Sequence, residues 1–163
     1  MTEKLLPEMI TGVKFTISGF FDGMDCVAIN REGATGAICF FHMPRFRTDD
    51  WFYFRRYSRA QWNRLMDKLF NKVHVQDWKH KYINNDILDG AQWKLSLRLS
   101  SGKKYDIYGS NEYPDGFDEL IRMHRYYSGK HAGFDRSEIR RLSGLFKNDY
   151  EVKRALEEYV GSI

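Results

Sequence analysis

The chain has 163 residues, of which 42% are hydrophobic and 16% aromatic, and its formal net charge is +4. A single domain of this length buries roughly two thirds of its unfolded surface, so folding needs neither a disulfide framework nor a structural metal. The longest apolar stretch, residues 37–43, is too short to span a membrane, and residues 1–9 lack the apolar segment of a secretory signal, so we expect a cytoplasmic protein.

The first third of the chain predicts four strands. Residues 13–18 alternate between apolar and polar side chains, and further strands are expected over 24–30, 34–43 and 51–55. If Glu32 and Gly33 form a two-residue hairpin loop, residues whose numbers add up to 65 face each other, which places Cys26 opposite Cys39. Such a pair is near disulfide distance and could be half of a metal site, but two reduced, buried cysteines are the simpler interpretation in a cytosolic protein.

The first helix is predicted by its cap and its period. Ser58 and Gln61 have the spacing of a capping box. One helical face then carries the apolar residues Trp62, Leu65, Met66, Leu69, Phe70 and Val73. Residues 75–83 are ambiguous, and a short helix or a turn is expected there.

The second half of the chain predicts a hairpin followed by helices. Trp93, Leu95, Leu97 and Leu99 alternate with polar residues, a partner strand runs through residues 105–107, and a helix follows from Asp115 to about residue 127. Two more helices are expected after residue 135. The sequence therefore predicts an α+β fold: an antiparallel sheet of about five to six strands, helices packed on one face, and a C-terminal helical pair. Residues 1–129 form the body and 130–163 a helical appendage packed on it, in one domain overall.

Motifs for catalysis are weak. No phosphate-binding glycine loop and no nucleophile elbow occurs, and the spacing of the five histidines does not suit a metal site, so they are interpreted as packing and surface residues. Asp86 and Asp89 precede a strand that carries Lys94, an arrangement that a metal-dependent nuclease would use. Neither a cofactor nor a bound metal is predicted.

A basic and aromatic stretch is the best candidate for a binding surface. Its cations can neutralise phosphates and its rings can stack on bases, or both can form a protein hot spot. The alternative is a solvated helix face beside core aromatics, because four carboxylates dilute the charge, namely Asp49, Asp50, Asp67 and Asp77. The candidate binding residues are Arg45, Arg47, Trp51, Tyr53, Arg55, Arg56, Tyr57, Arg59, Arg64 and Lys68. By contrast, Trp62, Trp93 and Phe117 lie on periodic faces and are assigned to the core.

One segment shows a likeness to a known kind of domain. The residues that carry it are Trp78, Tyr82, Leu88-Asp89-Gly90, Trp93, Tyr108-Gly109-Ser110-Asn111 and Tyr113-Pro114. The segment from Trp78 to Leu120 resembles a small domain of many uncharacterised bacterial and mobile-element proteins. That family has no established activity, so the resemblance implies a compact α+β module and supplies no catalytic residues.

Three functions follow as hypotheses. The first is a non-enzymatic interaction protein that binds a protein or nucleoprotein partner, such as a phage or mobile-element inhibitor of host defence comparable to anti-CRISPR proteins. The charge of +4 argues against a DNA mimic, which needs an acidic surface. The second is a nucleic-acid-binding protein that uses the basic and aromatic stretch. The third is a metal-dependent nuclease.

Overall fold

A seven-stranded sheet organises the chain. The structure is a computed structural model that describes residues 4–19, 23–43, 52–86, 90–128 and 134–161. The strands are β1 (Ile10–Ser18), β2 (Met24–Glu32), β3 (Thr35–Met43), β4 (Phe52–Arg56), β5 (Lys81–Ile83), β6 (Gln92–Leu99) and β7 (Lys104–Ser110). Their order across the sheet is β4-β3-β2-β1-β6-β7-β5. The α+β prediction is confirmed, with seven strands instead of five to six. The sheet is mixed, because β5 pairs in parallel with β7.

The β2–β3 hairpin has a different register from the predicted one. Glu32 pairs with Thr35, so the two-residue loop is Gly33-Ala34. Gly33 has a φ of 62°, and a positive φ at the first loop position is what type II′ hairpins require. Moving the loop by one residue places Cys39 opposite Ala28 and Cys26 opposite Phe41. The prediction that the two cysteines face each other is therefore wrong: they are diagonal neighbours, and both are free and buried.

Two helices cover one face of the sheet. They are α1 (Arg59–Asp67), which a π-helical turn (Lys68–Lys72) continues, and α2 (Phe117–Ser128). The capping box at the start of α1 is confirmed, because the Ser58 hydroxyl accepts from the Gln61 amide and the Gln61 side chain accepts from the Ser58 amide. The core assignment of Trp62, Trp93 and Phe117 is confirmed as well, since these side chains are 5%, 2% and 6% exposed.

On the other face of the sheet, the described helices form an apolar layer over β2, β3 and β4. Here α3 (Arg136–Leu142), a 3-10 turn (Ser143–Phe146) and α4 (Tyr150–Tyr159) form the expected C-terminal helical pair. They bury Cys26, Ala28, Ala37, Cys39, Phe41, Phe52 and Phe54 beneath Ile139, Leu142, Phe146, Val152, Ala155, Leu156, Tyr159 and Val160. The Tyr159 hydroxyl also donates to the backbone carbonyl of His42, over 2.6 Å. The pair is thus an integral layer on the face opposite α1 and α2.

The remaining segments are short. Val75–Asp77 form a 3-10 turn, and the ambiguous stretch then ends in β5. Among the described residues, no helix is both long and apolar enough to cross a membrane.

Candidate interaction surface

The structure brings four of the predicted binding residues together and separates the others. Tyr53, Tyr57, Arg64 and Lys68 line one groove between α1 and α2. Arg55 borders it, because its guanidinium carbon lies 4.8 Å from the centroid of the Tyr53 ring. Arg45, Arg47 and Trp51 lie outside the described residues.

The groove has a volume of about 810 Å³ and is both aromatic and basic. On α1 and its continuation, cations recur every four residues, which places them on one face of the helix. On α2 the same spacing aligns Arg122 with Tyr126. The lining contains four tyrosines and four cations, namely Tyr53, Tyr57, Tyr126, Tyr127, Arg64, Lys68, Lys72 and Arg122.

The tyrosines form a contiguous cluster. The Tyr127 ring lies 6.0 Å from Tyr53 and 5.0 Å, edge to face, from Tyr126. Burial raises the pKa of Tyr57, an effect that its hydrogen bond with Tyr127 and the charge of Arg64 offset only in part. Burial, followed by the neighbouring Tyr57, also raises the pKa of Tyr127. Both phenols therefore stay neutral at physiological pH, and the half-buried Tyr127 offers a rigid, amphipathic contact group.

These tyrosines differ in accessibility. Tyr57 is only 7% exposed and belongs to the core beneath α1, whereas Tyr126 is 59% exposed. Tyr126 and Tyr127 are not among the predicted binding residues, because the apolar period of α2 indicates only which side chains point inward. Their position beside Arg122 and Arg125 was the signal available in the sequence.

Acidic side chains neutralise part of the groove. Glu119 lies 3.0 Å from Arg122 and 4.0 Å from Lys68, and Asp118 lies 3.8 Å from Arg122. Asp67 belongs to the lining itself. Because three carboxylates stand among four cations, the groove has a small net charge and its tyrosines dominate its character.

Two predicted residues lie elsewhere. The backbone N–H of Arg56 donates to the Glu138 carboxylate over 2.8 Å, so this residue meets the C-terminal helices. Arg59 lines a second groove, of about 910 Å³, at one end of the sheet. There the Arg31 guanidinium lies 5.5 Å from the Trp62 ring centroid, and burial, followed by the charge of Arg59, lowers the pKa of Arg31.

A second polar cluster joins two of the histidines. Asp25 on β2 contacts the His42 Nδ1 atom over 2.5 Å and the His124 Nε2 atom over 2.8 Å. Burial raises the pKa of Asp25, but the hydrogen bonds and charges of the two histidines outweigh it, so the pKa is lowered overall. Sequence reasoning missed this cluster, because its members are distant in the chain.

The proposed nuclease residues do not assemble within the described chain. Asp89 lies outside the described residues, Asp86 is in an exposed turn, and Lys94 lies 3.6 Å from Asp106. In the described ranges, no three His, Cys, Asp or Glu side chains are grouped to hold a metal ion. The nuclease hypothesis stays an untested prediction.

No protein-family model, curated protein or solved structure matches this chain. The resemblance of residues 78–120 to a small mobile-element domain therefore also stays a prediction.

Proposed function

We propose that this protein is a non-enzymatic binding protein that holds a protein partner, alone or within a nucleoprotein, in the groove between α1 and α2. The observation that carries the proposal is the convergence of four tyrosines with four cations from three separate elements. Tyrosine and arginine dominate protein hot spots, because each offers a large contact area together with directed polar groups.

The charge of the groove favours protein over nucleic acid as its partner. Asp67, Asp118 and Glu119 would repel a phosphate backbone from the cations beside them. A protein surface can instead place its own acidic and basic groups to match this mixed pattern.

A capture experiment with matched variants tests the proposal. The immobilised full-length protein is exposed to lysate of its natural host at low and moderate salt, and captured proteins are quantified by mass spectrometry. The groove variants are Tyr126→Ala and Arg64→Glu. The controls are Tyr150→Ala, whose side chain is 74% exposed outside the groove, and Lys153→Glu on the same helix.

The wild type and both control variants should capture one and the same protein. Loss of a hot-spot residue costs about 2 kcal/mol, so the groove variants should lower its affinity by about 30-fold. Capture that is unchanged in the groove variants, or no capture at either salt concentration, contradicts the proposal.

A further inference from the structure

One half of one sheet face is open. The C-terminal helices cover β2, β3 and β4, and the start of α4 reaches β1 through Lys14. None of the described helices packs on the same face of β6, β7 and β5. Cross-strand partners on this face are Lys94 with Tyr108, Ser96 with Asp106, and Arg98 with Lys104. Lys81 on β5 is the partner of Tyr108 on the other side of β7. We call these side chains together the open face.

The open face is strongly basic. It carries four cations, Lys81, Lys94, Arg98 and Lys104, and one carboxylate, Asp106. The carboxylate is already engaged, since it accepts from the Ser96 hydroxyl over 2.5 Å and lies 3.6 Å from the Lys94 ammonium. Unlike the groove between α1 and α2, this surface has an uncompensated positive charge.

Like charges also face each other directly here. Arg98 and Lys104 are opposite residues of an antiparallel pair, an arrangement that costs stability unless an anion is near. The Arg98 guanidinium donates to the Thr11 hydroxyl over 3.1 Å, a neutral partner that leaves its charge uncompensated. A phosphate lying across β6 and β7 would remove that cost. The pairing therefore favours a polyanionic ligand over an uncharged one.

An aromatic ring lies between cations at the other end of these strands. Tyr108 is 39% exposed, and the Lys81 ammonium lies 5.7 Å from its ring centroid. Lys94 is its cross-strand neighbour on the other side. A ring flanked by cations offers a stacking platform for a base whose phosphates are neutralised on both sides.

The open face continues into the second groove. Arg98 and Lys104 belong to both. The groove adds Lys147 and the amide side chains of Asn30 and Asn148, together with the carboxylates Glu8, Glu32 and Asp149. Asp149 is already paired with Lys14 over 2.9 Å. A flexible strand can therefore follow one path from Tyr108 along β6 and β7 to Arg98 and Lys104, where the carboxylates of the second groove limit it. A duplex cannot stack its paired bases on Tyr108, and none of the described helices lies on the open face to enter a groove of DNA.

From these features we propose that the open face binds single-stranded nucleic acid, with Tyr108 stacking on a base and Lys81, Lys94, Arg98 and Lys104 contacting phosphates. This surface is separate from the proposed partner groove, and its ligand belongs to a different class of molecule.

Fluorescence anisotropy with the purified full-length protein tests the proposal. The probes are labelled oligothymidylate and oligouridylate, which separate DNA from RNA, and a duplex DNA of equal length. With about four phosphates neutralised, the slope of log affinity against log salt should be about −3, a loss of about 50-fold between about 50 and 200 mM salt.

Matched variants locate the site. Lys94→Glu and Lys104→Glu should each lower the affinity at least tenfold, as should Tyr108→Ala, while Tyr108→Phe should retain binding because it keeps the ring. Lys153→Glu and Arg64→Glu change the net charge equally and lie outside the open face, so they should change the affinity less than twofold. Circular dichroism confirms that each variant is folded.

Several outcomes overturn the proposal. These are no binding of either oligonucleotide at low salt, tighter binding of the duplex, equal losses in the control variants, or displacement by polyglutamate as effective as by unlabelled oligonucleotide. The last result would assign the open face to an acidic peptide. Because Arg64→Glu tests the partner groove and leaves the open face intact, failure of one proposal is distinguishable from failure of the other.

Discussion

The Asp25 carboxylate on β2 and the His124 imidazole on α2 are 2.8 Å apart and link a helix to the sheet beneath it. The second carboxylate oxygen contacts His42 on the neighbouring strand, so one acidic group joins three elements. Such a half-buried carboxylate contributes to stability only while it is ionised and hydrogen-bonded.

Asp25→Asn should therefore lower the free energy of unfolding at neutral pH by about 1.5–3 kcal/mol, the usual contribution of a hydrogen bond to a charged group. The pKa of Asp25 lies below its ordinary value of 3.8, so its contribution is fully present above that value and is lost as the pH falls through the lower, folded-state pKa. Urea unfolding at a series of pH values measures this. The difference in the free energy of unfolding between wild type and variant should shrink below about pH 4.

Asp86→Asn, in an exposed turn, is the control for this prediction. An equal loss of unfolding free energy in both variants would contradict the role assigned to Asp25.

Gly109 should not tolerate a side chain. A Cβ atom there would lie 2.4 Å from the Trp93 Nε1 atom, and the Trp93 ring is buried with its N–H bonded to the Glu112 carbonyl over 2.9 Å. Gly109→Ala should therefore destabilise the protein by about 1–3 kcal/mol, as overpacking in a core does. Thermal unfolding measures the effect. Gly144→Ala is the matched control, because nothing lies within 4 Å of its added methyl group and it should be neutral or slightly stabilising.

The two cysteines should be unreactive in the folded protein. Burial raises the pKa of both thiols, and the thiolate is the reactive form. Iodoacetamide at neutral pH should label neither Cys26 nor Cys39 until denaturant is added, when both should react. Diagonal cross-strand neighbours are about 7–8 Å apart, beyond the usual disulfide range, so a mild oxidant should leave them unlinked. Rapid labelling of the folded protein would contradict the burial of the two thiols beneath the C-terminal helices.

Lys14 should hold the C-terminal helices against the sheet. Its ammonium lies 2.9 Å from both Asp149 and Glu151, at the start of α4. Burial lowers the pKa of Lys14, but its interactions with acidic neighbours outweigh this and raise it overall. Lys14→Met should speed hydrogen exchange in α4 by about tenfold, which corresponds to about 1.4 kcal/mol of lost local stability. Exchange in α2 should not change, and Lys153→Met is the exposed control. Uniform acceleration across the chain would indicate a global effect instead.

Features of the fold with a strong local signal were predictable. The capping box of Ser58 and Gln61, the periodic face that begins at Trp62, and the alternation around Trp93 each fix an element from neighbouring residues alone. The β2–β3 register was not predictable from the sequence. It depends on which loop residue adopts a positive φ, and both Glu32-Gly33 and Gly33-Ala34 fit the sequence as the loop. Strand β5 has three residues, too few for any period to show.

The candidate surface was predictable only in part. Arg64 and Lys68 follow helical spacing and could be assigned to an outward face. Their proximity to Tyr126 could not be predicted, because it depends on how α2 packs beside α1. The neutralising role of Glu119 could not be predicted from the sequence either, since its partner Lys68 lies on another helix.

The strand order has a consequence for synthesis on the ribosome. The strands β1 to β4 are adjacent in chain order and can pair as they emerge, but the second edge of β1 remains unpaired until β6 is made. The aromatic side of β2–β4 stays uncovered for longer still, because α3 and α4 follow every strand in the chain. A nascent chain of this protein therefore exposes the free edge of β1 until β6 is made, and the apolar face of β2–β4 until α3 and α4 leave the exit tunnel. At this stage chaperones protect incomplete domains from aggregation.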